Sequence, residues 1–188
     1  FWRGTREGSG PIRPPRCLCQ VPMMDLHELA GGKLAALLSR AASRDLFDTC
    51  ELLRRQDLDR TKLRLAFVVY GGASRTDWRT VSLDDVKLDA TEFQGKLLPL
   101  LPKGAAMGKH DVRVLEEHLV SECRSLLGSV LPFTPEEREF LERLNGRGQI
   151  APEFLTDDRA MQVTIREHPA LLWKALNVRE NRKSLGGR

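Results

Sequence analysis

Between Asp25 and Asp48 the chain reads DLHELAGGKLAALLSRAASRDLFD, and a lysine sits inside an otherwise apolar helical stripe. At about 100° per residue, Leu26, Leu29, Ala30, Leu34 and Leu37 share one side of a helix. Lys33 lies seven positions after Leu26 and projects in almost the same direction, and Arg40 lies seven further on. An ammonium flanked by Leu29, Ala30, Leu34 and Leu37 is not on a solvated face. Burying it unpaired is costly, so it calls for an anion or a cavity. A second helix offers Asp45, within Ser43-Arg44-Asp45-Leu46-Phe47-Asp48. Lys33 and Asp45 can then converge on one cleft, with Arg40 and Arg44 at its rim. The other reading is structural: Lys33 reaches past the stripe and pairs with Asp45 or Asp48 as an ordinary salt bridge. The pattern leaves both open.

A chain of 188 residues has room for one domain of ordinary size or two small ones. With 41% hydrophobic and 30% charged residues, it reads as a water-soluble globular protein. No apolar run approaches the roughly 20 residues of a membrane span. FWRGTREGSG lacks the apolar stretch of a signal peptide. Residue 1 is Phe, so a processed product or a fragment is expected. The net charge is +4; residues 1–70 hold 12 basic and 8 acidic residues, and the rest holds 18 of each. A modest excess around Lys33 suits a polyanionic partner. Cys17, Cys19, Cys50 and Cys123 have no second Cys or His pair at zinc spacing. Cys50 reads as a core thiol, and the sparse usage points to the cytoplasm.

Most of the chain reads as helix. Residues 1–15 are expected to be coil and 16–21 a short strand. Asp25 and Glu28 make a capping box for the first helix, and Ser43 caps the second, to about Arg55. Gly31-Gly32 inside a helix costs about 1 kcal/mol per glycine: either another backbone or a ligand comes close beside Lys33, or the two are an ordinary packing pair. Residues 61–70 fit helix or strand, with helix preferred, ended by Gly71-Gly72. Residues 73–92 read as an ordered loop anchored by Trp78, Val81, Leu83, Val86 and Leu88. Helices are expected over 92–101 and 109–128, and from Thr134-Pro135-Glu136-Glu137 to Gly146. Another, capped by Thr156 or Asp157, runs to about Glu167. After His168-Pro169 a last helix runs through Leu172, Trp173 and Leu176, with Trp173 read as core rather than as a base-stacking platform, and the tail RENRKSLGGR frays. His27 reads as a surface residue, and the four histidines form no metal set.

No Walker A, Gly-x-Ser-x-Gly or dinucleotide fingerprint is present. The run Leu29 to Leu37 followed by Ser43 to Asp48 resembles two internal motifs of the AbiEii/AbiGii nucleotidyltransferase toxins. The likeness continues through Ala66 to Tyr70, Asp77 to Ser82, Leu131 to Thr134, Glu137 to Leu141 and His168 to Arg179. It covers about residues 20–180. The resemblance implies a mainly α chain: the C-terminal part of a two-lobed α+β polymerase-β-like nucleotidyltransferase, plus a helical lobe. Residues 1–70 would be the remnant of the nucleotidyltransferase lobe and 71–188 the helical lobe. It implies a toxin of a bacterial toxin–antitoxin or phage-abortive system that moves a nucleotidyl group from an NTP to an acceptor such as tRNA. A cognate antitoxin is the implied partner, with no membrane. Lys33 matches the lysine that holds the triphosphate, and Asp45 the aspartate that completes the site. Arg40 joins Lys33 in nucleotide binding, with Arg44 and Asp48 in support.

One departure stands out. The family's first motif is Gly-Ser followed by Asp-x-Asp, the carboxylates that hold a divalent metal such as Mg²⁺. Gly8-Ser9 and Gly128-Ser129 occur here without it, and the only Asp-x-Asp, Asp57-Leu58-Asp59, lies on a turn after the Arg-Asp motif. The metal ligands are expected upstream of residue 1, and this segment alone is expected to be inactive. The alternative is a non-catalytic helical module that binds an antitoxin or RNA.

Overall fold

The computed structural model describes residues 24–40, 42–100 and 109–186. The expected coil over 1–15 and strand over 16–21 lie outside them. Among the described residues there is no strand, and the chain is mainly helical. No described helix is long and apolar enough to cross a membrane.

Helices α1 (Leu26–Arg40), α2 (Ser43–Leu53) and α3 (Arg60–Ala73) come first. A three-residue turn α4 (Ala90–Glu92) runs into a wider turn at Phe93–Leu97, and α5 (Lys109–Leu127), α6 (Pro135–Arg147), α7 (Arg159–Arg166) and α8 (Pro169–Gly186) follow. The helix preferred for residues 61–70 is present as α3. It buries Leu63, Ala66, Phe67, Val68, Val69, Gly71 and Gly72 on all sides, as a central helix must. Gly71-Gly72 does not end it. A Cβ on Gly71 would lie 2.2 Å from the Trp78 ring, and one on Gly72 would press on Leu144 and Leu141. The two glycines are there to let partners close on the last turn of α3. Trp78 fills that space at 0% exposure, edge-on to Phe67 with ring centroids 4.9 Å apart.

The residues between α3 and α4 are an ordered connection, as expected. Asp77 caps the turn Trp78–Thr80, and Ser82 makes a capping box over Leu83–Asp85. α2 packs on α5, where Arg54 grips Glu122 through Nε at 2.8 Å and Nη2 at 2.6 Å. Cys50 is a core thiol, as read, and Cys123 is buried with it. The Thr134 capping box opens α6, and its Glu137 also receives Arg64 of α3.

Several ends differ from the sequence reading. α6 closes on Gly148, not Gly146: Gly148 is left-handed (φ 62°) and its N–H and that of Gln149 return to Leu144 and Arg143. α7 is capped by Asp158, whose carboxylate accepts from Ala160 and Met161. α8 continues to Gly186, into the tail expected to fray. Its buried residues are Leu171 and Ala175, while Leu172, Trp173 and Leu176 are exposed. The cause is the side of α8 that packs: Trp173 is two residues from both Leu171 and Ala175, about 200° around the helix, and so lies opposite the covered side. At that covered side the approach is close, because a Cβ on Gly148 would meet the Ala175 carbonyl at 2.4 Å.

Candidate functional site

α1 begins at Asp25, whose Oδ1 accepts the His27 N–H at 2.8 Å and lies 2.7 Å from His27 Nδ1. His27 Nε2 accepts the Asp59 N–H at 3.0 Å, so the imidazole ties the start of α1 to the start of α3. His27 is therefore buried, not a surface residue. Burial pushes the Asp25 carboxyl up, but the His27 hydrogen bonds outweigh it and hold it below the ordinary range.

α1 and α2 are joined across residues 41–42 and run antiparallel. Two charged pairs cross between them. Lys33 Nζ donates to Asp48 Oδ2 at 2.7 Å. Arg40 donates to Asp45 through Nε at 2.6 Å and Nη2 at 3.1 Å. Lys33 and Asp45, read together as one site, therefore close on different partners. Antiparallel geometry explains this: the earlier residue of α1 meets the later residue of α2. Arg40 is a partner of Asp45 and not a bystander at a rim. Arg44 is exposed on the other side of the first turn.

The N-terminus of α2 is also held differently from the reading. Ala42 is the capping position and makes no side-chain cap. Ser43, fully buried, donates its hydroxyl to the Asp89 carbonyl at 3.2 Å. Glu92 Oε2 accepts the Ser43 N–H at 3.2 Å, a carboxylate from a distant turn at the positive end of the helix.

The two adjacent glycines of α1 do different things. A Cβ on Gly31 would come within 2.8 Å of the Ala66 backbone, so Gly31 permits the contact of α1 with α3. Gly32 meets only the Tyr70 ring, at 3.9 Å. Its side of α1, shared with half-exposed Leu29 and with Lys33, is open. Tyr70 in turn sits edge-on to His168, with centroids 5.6 Å apart. Burial pushes the Tyr70 phenol up, and buried Glu28 adds to this. Burial pushes the His168 imidazole down. Neither Tyr70 nor His168 was marked by the sequence as part of this region. Only contact between α1, α3 and the start of α8 brings them there.

Among the described residues no three His, Cys, Asp or Glu side chains are grouped to hold a metal ion. Asp57-Leu58-Asp59 does not fit that task. Asp59 caps α3 by accepting from Thr61 and Lys62, and Asp57 is paired with Arg55. What the α1–α2 surface offers is an accessible ion pair: an ammonium one-third exposed, at 2.7 Å from a carboxylate equally exposed. Such a pair can exchange its carboxylate for another anion without uncovering a buried charge.

The family described as nucleotidyl transferase AbiEii toxin, type IV TA system, matches residues 11–143 of this chain. The match takes in α1 to α5 and most of α6, with both charged pairs, and ends before α7 and α8. Neither the curated proteins nor the solved structures contain a match. The chain belongs to the AbiEii family of nucleotidyl transferase toxins.

Proposed function

We propose that this AbiEii-family chain takes part in transferring a nucleotidyl group from an NTP to an acceptor such as tRNA, as the toxin of a cytoplasmic toxin–antitoxin or phage-abortive system with a cognate antitoxin. Lys33 is the triphosphate ligand and Arg40 a second cation beside it. Asp45 and Asp48 set the two cations in place, and Arg44 supports from the first turn of α2. Residues 1–70 carry the nucleotidyltransferase-lobe function and 71–188 the helical lobe. This is a division of labour, because α3 runs through the boundary.

The observation that carries the reading is the Lys33–Asp48 pair on the open side of α1. A partly exposed ammonium at a fixed place is suited to phosphate oxygens, and Asp48 keeps it extended until they arrive. The chemistry a divalent metal supplies is neutralisation of phosphate charge during displacement. The described residues do not form its ligand set.

A second reading has its own support. Asp48 already satisfies Lys33, which is what a purely structural pair in a non-catalytic module binding an antitoxin or RNA requires. Titration of the chain with NTPs by calorimetry separates the two. Binding that is lost in Lys33→Ala supports the nucleotidyltransferase reading, and equal binding by both proteins sinks the assignment of Lys33. Incubated with Mg²⁺, radiolabelled NTP and tRNA, the 188-residue chain is expected not to label the RNA. Robust labelling would make Asp57 and Asp59 the first candidates for the metal carboxylates.

A further inference from the structure

The contact between α2 and α5 carries two thiols. Cys50 of α2 and Cys123 of α5 are both free and both buried. Cys50 Sγ lies 3.9 Å from the Leu119 carbonyl oxygen, one helical turn before Cys123 on α5. The two side chains face each other across the contact and hydrogen-bond to one another. Core thiols in contact are inert when they lie deep. These lie one layer down. Glu51 and Glu122 are their neighbours in sequence, and Arg54, one turn after Cys50, pairs with both acids, with Glu122 at 2.8 and 2.6 Å. Arg54 and Glu51 are exposed and Glu122 is half-buried, and all three charges act on the Cys50 sulfur. Ion pairs this wet part and re-form at little cost, so the cover over the thiols opens locally without unfolding the core.

The two thiols are unequal. The hydrogen bond from Cys123 holds the Cys50 thiol below the ordinary range against its burial, and Arg54 adds to this while Glu122 and Glu51 oppose it. The same hydrogen bond, with burial, pushes the Cys123 thiol up. Cys50 is therefore the sulfur that ionises and attacks, and Cys123 the one that keeps its proton.

We propose that Cys50 and Cys123 form a redox pair, which hydrogen peroxide, an oxidant hardly larger than water, converts to a disulfide that staples α2 to α5. The Cys50 thiolate attacks one peroxide oxygen. The O–O bond breaks, Cys50 is oxidised to the sulfenic acid, and the other oxygen leaves as hydroxide, which takes up the proton Cys50 gave away. The Cys123 sulfur then attacks the Cys50 sulfur. Its thiol proton goes to the departing hydroxide, so two thiols and one peroxide give one disulfide and two waters. α2 also carries Asp45 and Asp48, so the staple fixes on α5 the helix that pairs with Arg40 and Lys33. The inference stands whether or not Lys33 binds a nucleotide.

The test uses the 188-residue chain with Cys17→Ser and Cys19→Ser, so that those thiols take no part. The folded protein is exposed to a small excess of hydrogen peroxide, quenched with catalase, alkylated in denaturant and digested with trypsin. Mass spectrometry is expected to show peptides 45–54 and 114–124 joined, the whole chain lighter by two hydrogens, and both changes reversed by dithiothreitol. The oxidised chain should melt several degrees higher by circular dichroism, because the link restrains the unfolded state. Dimedone should label Cys50 in the Cys123→Ser variant and leave Cys123 unlabelled in Cys50→Ser. The inference is overturned if both thiols stay reduced in the folded chain while the same chain in urea oxidises, or if Cys50 passes to the sulfinic acid without a link. A link that lowers the melting midpoint removes the staple, and dimedone labelling in the opposite order removes the assigned step.

Discussion

The two charged pairs between α1 and α2 look alike in sequence and differ in burial. Asp45 is 5% exposed and is gripped by two nitrogens of Arg40, itself 65% exposed. Lys33 and Asp48 are 33% and 32% exposed and share one hydrogen bond. A buried carboxylate that loses its cation keeps its desolvation penalty, whereas a half-wet pair trades partners with water and ions at little cost. The first pair therefore holds the hairpin together, and the second can part without leaving a buried charge behind. The adjacent glycines repeat the contrast, with Gly31 pressed on a neighbouring backbone and Gly32 only in ordinary contact with the Tyr70 ring at 3.9 Å.

The largest expected effect tests the buried side of that contrast. Gly31→Ala places a methyl 2.8 Å from the Ala66 backbone, which cannot swing aside as a side chain would. Stability should fall by about 3 kcal/mol in a denaturant melt. Gly32→Ala should instead be neutral or stabilise by up to about 1 kcal/mol through helix propensity. Equal losses from both would erase the difference between the two faces of α1.

The pairs themselves come next. Arg40→Ala leaves the buried Asp45 unpartnered and should destabilise by about 1–3 kcal/mol. Lys33→Ala should change stability by less than about 1 kcal/mol, because both members are already partly hydrated. In cells producing the intact toxin, Lys33→Ala should also abolish toxicity. A Lys33→Ala melt that drops as far as that of Arg40→Ala, with toxicity following the folded fraction, would make Lys33 a structural residue.

The smallest effect lies beside the open face, at His168. Burial holds its folded pKa below the unfolded value of about 6.5. Its contribution is complete above that value and is lost as pH falls through the folded pKa, because the unfolded chain takes up the proton first. The melting temperature should therefore fall between about pH 7.5 and about pH 5.5, and less so in His168→Gln. An identical pH slope in the variant would mean that the start of α8 does not hold the imidazole in a buried setting.

Much of this molecule can be read from the chain alone. Apolar spacing finds α1, α2, α5 and α6 and leaves α3 between helix and strand, and Asp25, Thr134 and Pro135 mark where helices begin, because those signals depend on neighbours within one turn. Lys33, Arg40, Asp45 and Asp48 stand out for the same reason: charge inside or beside an apolar stripe is a local anomaly. The family resemblance carried by the two helical motifs is matched over residues 11–143.

Tertiary structure decided the rest. Which acid meets Lys33 depends on the antiparallel crossing of α1 and α2, and a helical repeat cannot tell Asp45 from Asp48. Ser43 looks like a cap, but its hydroxyl meets Asp89 and its N–H meets Glu92, residues more than 40 positions away. Trp173 has the spacing of a core residue. It is outside because α8 packs on the side that carries Leu171 and Ala175, about 200° around the helix from the indole. Local pattern gives each helix its apolar positions and its ends; the side on which two helices settle determines which of those positions are covered.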